Sequence, residues 1–324
     1  MDLPIFEVAP KLARRPFLPI AARPTPVEGA PSLGDRIWVK RDDLVSPRYG
    51  GNKVRRWEWL LGAAKDRGVE TLVTVGGLGS TQVTSLTVHG TDAGFEVVAV
   101  LFDQPASAFV DEALMLDHQF GGRPIVAGGY VRTAIQTLSV LRRTKRSLFV
   151  PPGASSPLLN VAYVDALLEL SKQVERGEAP RPDRIVVPCG SGGTAVGLAV
   201  GAAILGWPTR VEAVRITELV VSNPLTLAAL TYATERLLRR EGLSTPRKLD
   251  VKLHMDHRFV GEGYGHATPA AETGAERFTR AFGAAGEITY SGKAVAALDV
   301  IAREHPDEQI LLWNTLSTTG RPVV

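Results

Sequence analysis

The chain is predicted to be an α/β protein with mostly parallel sheets, arranged as two three-layer α/β/α units, and three observations predict it. Between residue 54 and about residue 150, short β-branched runs alternate with stretches of helical periodicity. A second alternation of the same kind begins after Ser155-Ser-Pro157, a good helix start with proline in the first turn. Such alternation implies parallel strands covered by helices. Two glycine-rich stretches, Gly76 to Gln82 and Gly190 to Thr194, each link a strand-like run to a helix-like one. In open α/β sheets that is where ligands gather.

The elements follow in order. Residues 1–36 carry prolines at 4, 10, 16, 19, 24, 26 and 31, which disfavour helix and predict an extended arm. Gly50 and Gly51 suit a tight turn, and Asn52 is placed to cap the helix whose apolar positions are Trp57, Leu60, Leu61 and Ala64, with Gly68 as its stop. Strands are predicted at Thr71 to Val75, Glu96 to Phe102, Pro124 to Ala127 and Ser147 to Val150, with helices at 81–93, 107–119 and 130–143. Later strands are expected near 184–188, 210–216, 250–255 and 309–313. The polar stretch Glu175 to Asp183 reads as a surface loop. Residues 1–55 and 155–324 are expected to form the larger domain and 56–154 the smaller.

Composition narrows the function. With 324 residues and 44% hydrophobic content the chain can bury a full core. Its net charge of +3 comes from scattered basic residues, which does not imply nucleic acid but suits small anionic ligands. One cysteine, Cys189, excludes an internal disulfide and is expected to pack as a small buried residue. Neither a basic-then-apolar leader nor a bilayer-length apolar run is visible, so a cytoplasmic protein is expected.

Lys53 is the expected chemical centre. It stands in the first turn of a helix, where the dipole is positive and a cation gains nothing. A positive field and partial burial both favour the neutral amine, the form that bonds to a carbonyl. The alternative is a surface lysine beside Arg55 and Arg56. The stretch Gly190-Ser-Gly-Gly-Thr194 offers backbone amides and the hydroxyls of Ser191 and Thr194 to a phosphate at a helix N-terminus. No lysine follows it, so it is not a GxxxxGK[ST] loop. Gly190, Gly192 and Ala195 satisfy GxGxxA, but mid-chain, and Glu212 lies within a strand instead of at its end. Dinucleotide binding, with an oxidoreductase function, therefore ranks second. A reactive lysine with a phosphate cradle is what pyridoxal phosphate requires.

Lys40-Arg-Asp-Asp43, Gly50-Gly-Asn-Lys-Val-Arg-Arg-Trp-Glu58, Val75-Gly-Gly-Leu-Gly-Ser-Thr-Gln82, Gly190-Ser-Gly-Gly-Thr194, Gly263-Tyr-Gly265 and Tyr290-Ser-Gly-Lys-Ala294 occur in one order along the chain. Together they resemble the 1-aminocyclopropane-1-carboxylate deaminase and D-cysteine desulfhydrase family of pyridoxal phosphate enzymes, from about Pro24 to Thr319. The resemblance implies the tryptophan synthase β-like fold, known as fold type II, and a homodimer. It implies Lys53 as the cofactor-linking residue and as the base at the α-carbon. Ser80, Tyr264 and Tyr290 are implied as acid, base or positioning groups, and Ser80, Thr81 and Gln82 as contacts to the substrate carboxylate. Cofactor contacts are expected from Asn52, Arg56, Thr81, Gly190, Ser191, Gly192, Gly193, Thr194, Ser291 and Thr315; an exposed helix position is the alternative for Arg56.

The departures from the family bear on the reaction. The family commonly has asparagine where this chain has Thr81. The resembling deaminases carry glutamate at the place of Ser291; a hydroxyl there leaves the ring nitrogen largely neutral, so cyclopropane ring opening is not expected. Glu287-Ile-Thr289 replaces Asp-Pro-Val, and Trp313 to Gly320 replaces a glycine-rich loop expected on the substrate side. The expected activity is α,β-elimination from an amino acid, releasing an α-keto acid and ammonia. β- or γ-replacement, racemisation, and a cofactor-holding protein without turnover stand as alternatives. His254 and His257 suggest a metal only weakly, since residues three apart on a strand face opposite ways.

Overall fold

The computed structural model describes residues 2–245 and 248–320. Its strands are β1 (Val27–Gly29), β2 (Ile37–Lys40), β3 (Thr71–Gly77), β4 (Glu96–Phe102), β5 (Arg123–Gly128), β6 (Ser147–Val150), β7 (Arg184–Cys189), β8 (Arg210–Arg215), β9 (Leu253–Asp256) and β10 (Ile310–Trp313). The helices are α1 (Ile5–Val8), α2 (Val54–Asp66), α3 (Thr81–Asp92), α4 (Ala108–Gln119), α5 (Tyr130–Arg143), α6 (Pro157–Glu175), α7 (Gly193–Ile204), α8 (Pro224–Arg240), α9 (Pro269–Phe282) and α10 (Ser291–Glu304).

The expected α/β class holds. One sheet runs β1-β2-β10-β7-β8-β9 and the other β5-β4-β3-β6. Every pairing is parallel except β1 with β2. The central strands read as continuous apolar runs because both faces are covered: Val97, Val98, Val100 and Leu101 in β4, and Ile185, Val186 and Val187 in β7, are all buried. No helix among the described residues is long and apolar enough to cross a membrane.

Two sequence expectations change. The proline-rich start holds a short helix, α1, and a 3-10 turn over Pro10–Arg14. Proline is tolerated at a helix start because the N–H it lacks would be unpaired there anyway. The arm is fixed by main-chain donors. Ile5 N–H donates to Asp165 at 3.0 Å, and the amides of Ile20 and Ala21 both donate to Glu58 at 2.9 Å. Asn52 does not cap α2. Lys53 occupies the cap position, with no side-chain cap bond, and the Asn52 amide reaches Thr194 Oγ1 at 3.0 Å instead.

What positions the site is the meeting of strand C-termini. β3 ends at the 77–80 turn before α3, β7 at the 190–192 turn before α7, and β10 just before Thr315. The segment after β2 leads through Gly50 and Gly51 to Lys53. Gly51 has φ +88° and a side chain there would strike the Thr315 carbonyl, so this turn and the C-terminal loop can approach only over glycine.

Candidate active site

Beneath the turn lies a buried ionic network. Lys40 Nζ donates to Glu169 and to the Thr25 carbonyl, both at 2.7 Å. Arg55 donates to Glu169 at 2.9 and 3.0 Å and to Asp42 at 3.0 Å. Tyr163 and Trp313 complete Asp42, each donating at 2.9 Å. Burial opposes the charge on Glu169, but Arg55 and Lys40 outweigh it and hold its carboxyl down at about 2. Two cations and two anions close this network, so the Lys-Arg-Asp-Asp stretch anchors β2 and α2 to α6.

The next residue of α2 behaves differently. Arg56 is 1% exposed, which removes the reading of it as a surface arginine. It donates to Thr194 Oγ1 at 2.7 Å and to the Gly153 carbonyl at 2.8 Å, and its Nε has no partner. No carboxylate pairs with it among the described residues, and burial pulls its guanidinium down to about 10. Lys53 shares this surrounding. Burial first, and the Arg56 charge second, depress its amine well below the ordinary lysine value. A lysine shifted in that way gives up its proton more readily, and the free amine is the form that bonds to a carbonyl. Lys53 is half-buried and faces the same cavity as Arg56, which places it at the site and not on the outer surface.

Lys53 and Arg56 line a cavity of about 840 Å3 together with Asn52, Ser80, Gly190 to Thr194, Tyr264, Tyr290 and Thr315. The glycine loop is shaped from outside: Gly192 has φ +86°, Gly193 N–H donates to Ser155 Oγ at 3.1 Å, and Ser155 and Ser191 hydroxyls lie 2.7 Å apart. Ser155, read in the sequence only as part of a helix start, is brought to this loop by the fold. Ser80 stands at the N-cap of α3 without a side-chain cap bond, so capping does not account for its hydroxyl. The first-turn amides that follow it have no acceptor within the helix. The Tyr264 and Tyr290 hydroxyls are 2.7 Å apart and their rings cross at 81°. Burial raises both phenols above the ordinary tyrosine value, which favours their protonated form.

Four expectations are displaced. The Ser291 hydroxyl faces Glu287, accepting from its N–H at 2.9 Å and donating to its carbonyl at 3.0 Å, and Ser291 is outside the large cavity's wall. Glu287 itself receives the amides of Thr289, Tyr290 and Ser291 at 2.6 to 2.7 Å. Its carboxyl thus gathers the main-chain donors at the start of α10, while burial pushes its pKa up, and an acid just ahead of a helix start makes this readable in the sequence. Gln82 lines the cavity, but its amide is engaged by Thr74, Pro151 and Gly153. Thr81 is not in the wall and its hydroxyl is within reach of Tyr290. Of the C-terminal loop, Thr315 lines the cavity, whereas Ser317, Thr318 and Thr319 bond to Gly50, Asp43 and Ser46.

The remaining candidates lie elsewhere. Glu212 is held mid-strand by Arg184, Arg210 and His254, and so it is not available to a ribose. His257 accepts from Arg215 at 2.8 Å. Cys189 is buried and its thiol is pushed up to about 11 by that burial, as suits a packing residue.

The residues present fit pyridoxal phosphate. A buried guanidinium that meets no carboxylate among the described residues and a glycine loop suit its phosphate, and the Lys53 amine, its pKa lowered, suits its aldehyde. Residues 19–315 match the family described as pyridoxal-phosphate dependent enzyme. A nocardicin C-9' epimerase from Nocardia uniformis subsp. tsuyamanensis is 33% identical, covering 95% of this chain and 93% of that protein. A D-cysteine desulfhydrase from Klebsiella pneumoniae (strain 342) is 28% identical, covering 97% and 96%. Among solved structures, an ACC deaminase homologue superposes with a TM-score of 0.80 at 26% identity over 99% of this chain and 96% of the other. The processed threonine deaminase isoform 2 of Solanum lycopersicum, at 13% identity and a TM-score of 0.66 over 97% of this chain and 85% of the other, shares the fold alone. The unpaired cationic wall, the glycine loop and a family match over almost the whole chain agree, and this chain belongs to the pyridoxal-phosphate dependent enzymes of fold type II, with the ACC deaminase and D-cysteine desulfhydrase family.

Proposed function

We propose that this enzyme eliminates a leaving group from the β-carbon of an amino acid and releases an α-keto acid and ammonia, in the manner of a D-cysteine desulfhydrase. The observation that carries the reading is Lys53: an amine whose pKa is lowered by burial and by Arg56, in one cavity with Ser80 and a glycine loop. Bound pyridoxal phosphate supplies an aldehyde for an amine and a ring that draws electrons from the α-carbon. Gly190, Ser191, Gly192, Gly193, Thr194 and Arg56 hold its phosphate, while Asn52 and Thr315 serve the ring. Lys53 takes the α-proton. Ser80 and the amides of Thr81 and Gln82 receive the substrate carboxylate at the start of α3. Tyr264 and Tyr290 pass a proton towards the leaving group.

A second reading, racemisation or epimerisation at the α-carbon, is favoured by the tyrosine pair sharing the cavity with Lys53. Two proton-handling groups are what inversion requires, and one relative is named an epimerase. We further propose that 56–154 forms a smaller domain against the rest of the chain, and that the enzyme works as a cytoplasmic homodimer. The two sheets, with strands from 71–150 in one and from 27–40 and 184–313 in the other, support the division. A single buried thiol suits a reducing compartment.

The test is borohydride reduction of the coloured protein, then peptide mass mapping and a screen of D- and L-amino acids bearing β-leaving groups. A label on Lys53 with α-keto acid production is expected. A label on another lysine sinks the assignment. Solvent-deuterium uptake at the α-carbon without keto acid hands the reaction to the second reading.

A further inference from the structure

The cavity lining divides by element. Its charged side chains are Lys53, Arg56 and Glu218 alone, and all belong to the polar part, where Glu218 Oε1 accepts the Tyr264 N–H at 3.2 Å. The rest of the wall comes mainly from one face of α5, from Phe149 of β6 and from the turn after β8. Tyr130, Leu138, Leu141, Phe149, Val220 and Val221 line it. Thr133 and Thr137 also face it, but their hydroxyls donate to the carbonyls of Gly129 and Thr133 at 3.2 and 2.7 Å, so they offer little polarity. Leu138 is 54% exposed and Val220 87% exposed, on opposite banks. Ligand pockets of roughly 300–1,000 Å3 enclose drug-sized molecules. A cofactor with a three-carbon amino acid takes on the order of half of this one, allowing roughly 20 Å3 per non-hydrogen atom against the ~30 Å3 share of a water.

We propose that the substrate's side chain is a bulky, uncharged apolar group, seated between α5 and the 219–221 turn. The inference rests on the amino acid reading given above. Continuity with the Lys53 cavity assigns the apolar wall to the substrate: an amino acid held at Ser80 carries its side chain into the same enclosure. An aryl or long alkyl group on the β-heteroatom meets these walls and removes their apolar surface from water. A second carboxylate in the substrate is disfavoured by Glu218.

The holoenzyme is titrated with serine and with O-benzylserine, each in D and L forms, following the visible absorption of the bound cofactor. The expected result is O-benzylserine binding at least tenfold more tightly than serine of the same hand. The ratio falls at least fivefold in both Leu138→Asp and Val220→Asp, whose exposed positions tolerate the change. Where turnover follows, one water is consumed and benzyl alcohol, pyruvate and ammonia appear in equal amounts. Binding of both ligands with a ratio near one overturns the inference and leaves the amino acid reading standing. So does a high ratio that both variants preserve. A dimer that Leu138→Asp converts to monomer assigns this wall to a second copy of the chain and also overturns the inference. Failure of these ligands and of a wider amino acid panel to change the absorption removes the amino acid reading itself, and the inference with it.

Discussion

Arg55 and Arg56 are neighbours on α2, both fully buried, and they are treated in opposite ways. Arg55 meets Asp42 and Glu169, which more than offset burial and hold its guanidinium above its ordinary value. Arg56 meets only neutral acceptors and is pulled down. Burying a cation without its counter-ion costs several kcal/mol, so a position that keeps one is built for an anion from outside. The difference separates a charge paired inside the fold from one that meets no carboxylate among the described residues, as the proposed phosphate contact requires, on neighbouring positions of one helix.

The largest expected effect breaks the closed side. Glu169→Ala leaves Lys40 and Arg55 facing Asp42 alone, and a loss of about 3–5 kcal/mol in urea denaturation is expected. The wild-type protein should show the same linkage in acid. With its carboxyl depressed to about 2 from an ordinary 4.5, Glu169 contributes stability that is complete above about pH 4.5 and is lost as the pH falls towards 2. A Glu169→Ala midpoint equal to that of the wild type would show that the network is not a stabilising unit.

A buried carboxylate with no cation beside it among the described residues, and only the Thr84 hydroxyl within reach, sharpens the contrast. Asp117 lies between α3 and α4, its Oδ1 has no partner, and burial raises it from 3.8 to about 7. For an acid raised in the fold the sign is reversed. Stability is full below about pH 4 and falls as the pH rises through 7. Asp117→Asn should therefore gain roughly 2–4 kcal/mol at pH 8 and little at pH 4. An equal change at both values would assign the effect to packing.

Next comes the open side. Arg56→Met should weaken pyridoxal phosphate binding by about 10–100-fold, the range of one charge-assisted hydrogen bond of ~1.5–3 kcal/mol. The cofactor-free protein should lose far less stability than Glu169→Ala does. If it unfolds as readily as that variant, Arg56 is a structural cation and the comparison collapses.

Much of this arrangement was legible in the sequence. The strand Glu96–Phe102 and the helix starting at Thr81 sit where alternation and the Gly-rich turn place them, because both signals are local. The glycine turn and helix start left Lys53 open as a surface lysine. It was the second glycine loop, Gly190 to Thr194, that pointed to it as a candidate reactive amine, and the fold brings the two into one cavity. The role of Lys-Arg-Asp-Asp was not, because its partner Glu169 is 129 residues from Lys40 and a carboxylate inside the long helix α6 gives no local sign of pairing. Ser155 and the burial of Arg56 were hidden for the same reason: each is defined by elements that meet only in the folded chain. The short antiparallel edge strand β1 lies among prolines, where the propensity signal is for extended chain of any kind.

Ser291 and Thr315 carry the smallest prediction. By sequence either can face the ring nitrogen of the cofactor, since one opens α10 and the other follows β10. The Ser291 hydroxyl is engaged by the Glu287 main chain, and a buried hydroxyl seldom leaves two such bonds for a third partner. Thr315 lines the cavity, and its main-chain carbonyl already binds the Asn52 amide at 3.2 Å. Thr315→Val should therefore shift the absorption maximum of the bound cofactor and change turnover about five- to tenfold, roughly the weight of one hydrogen bond of ~1 kcal/mol. Ser291→Ala should leave the absorption maximum in place and cost stability of the same ~1 kcal/mol size. The opposite pattern, a spectral shift in Ser291→Ala and none in Thr315→Val, would return the ring contact to α10 and require Glu287 to release the hydroxyl when the cofactor binds.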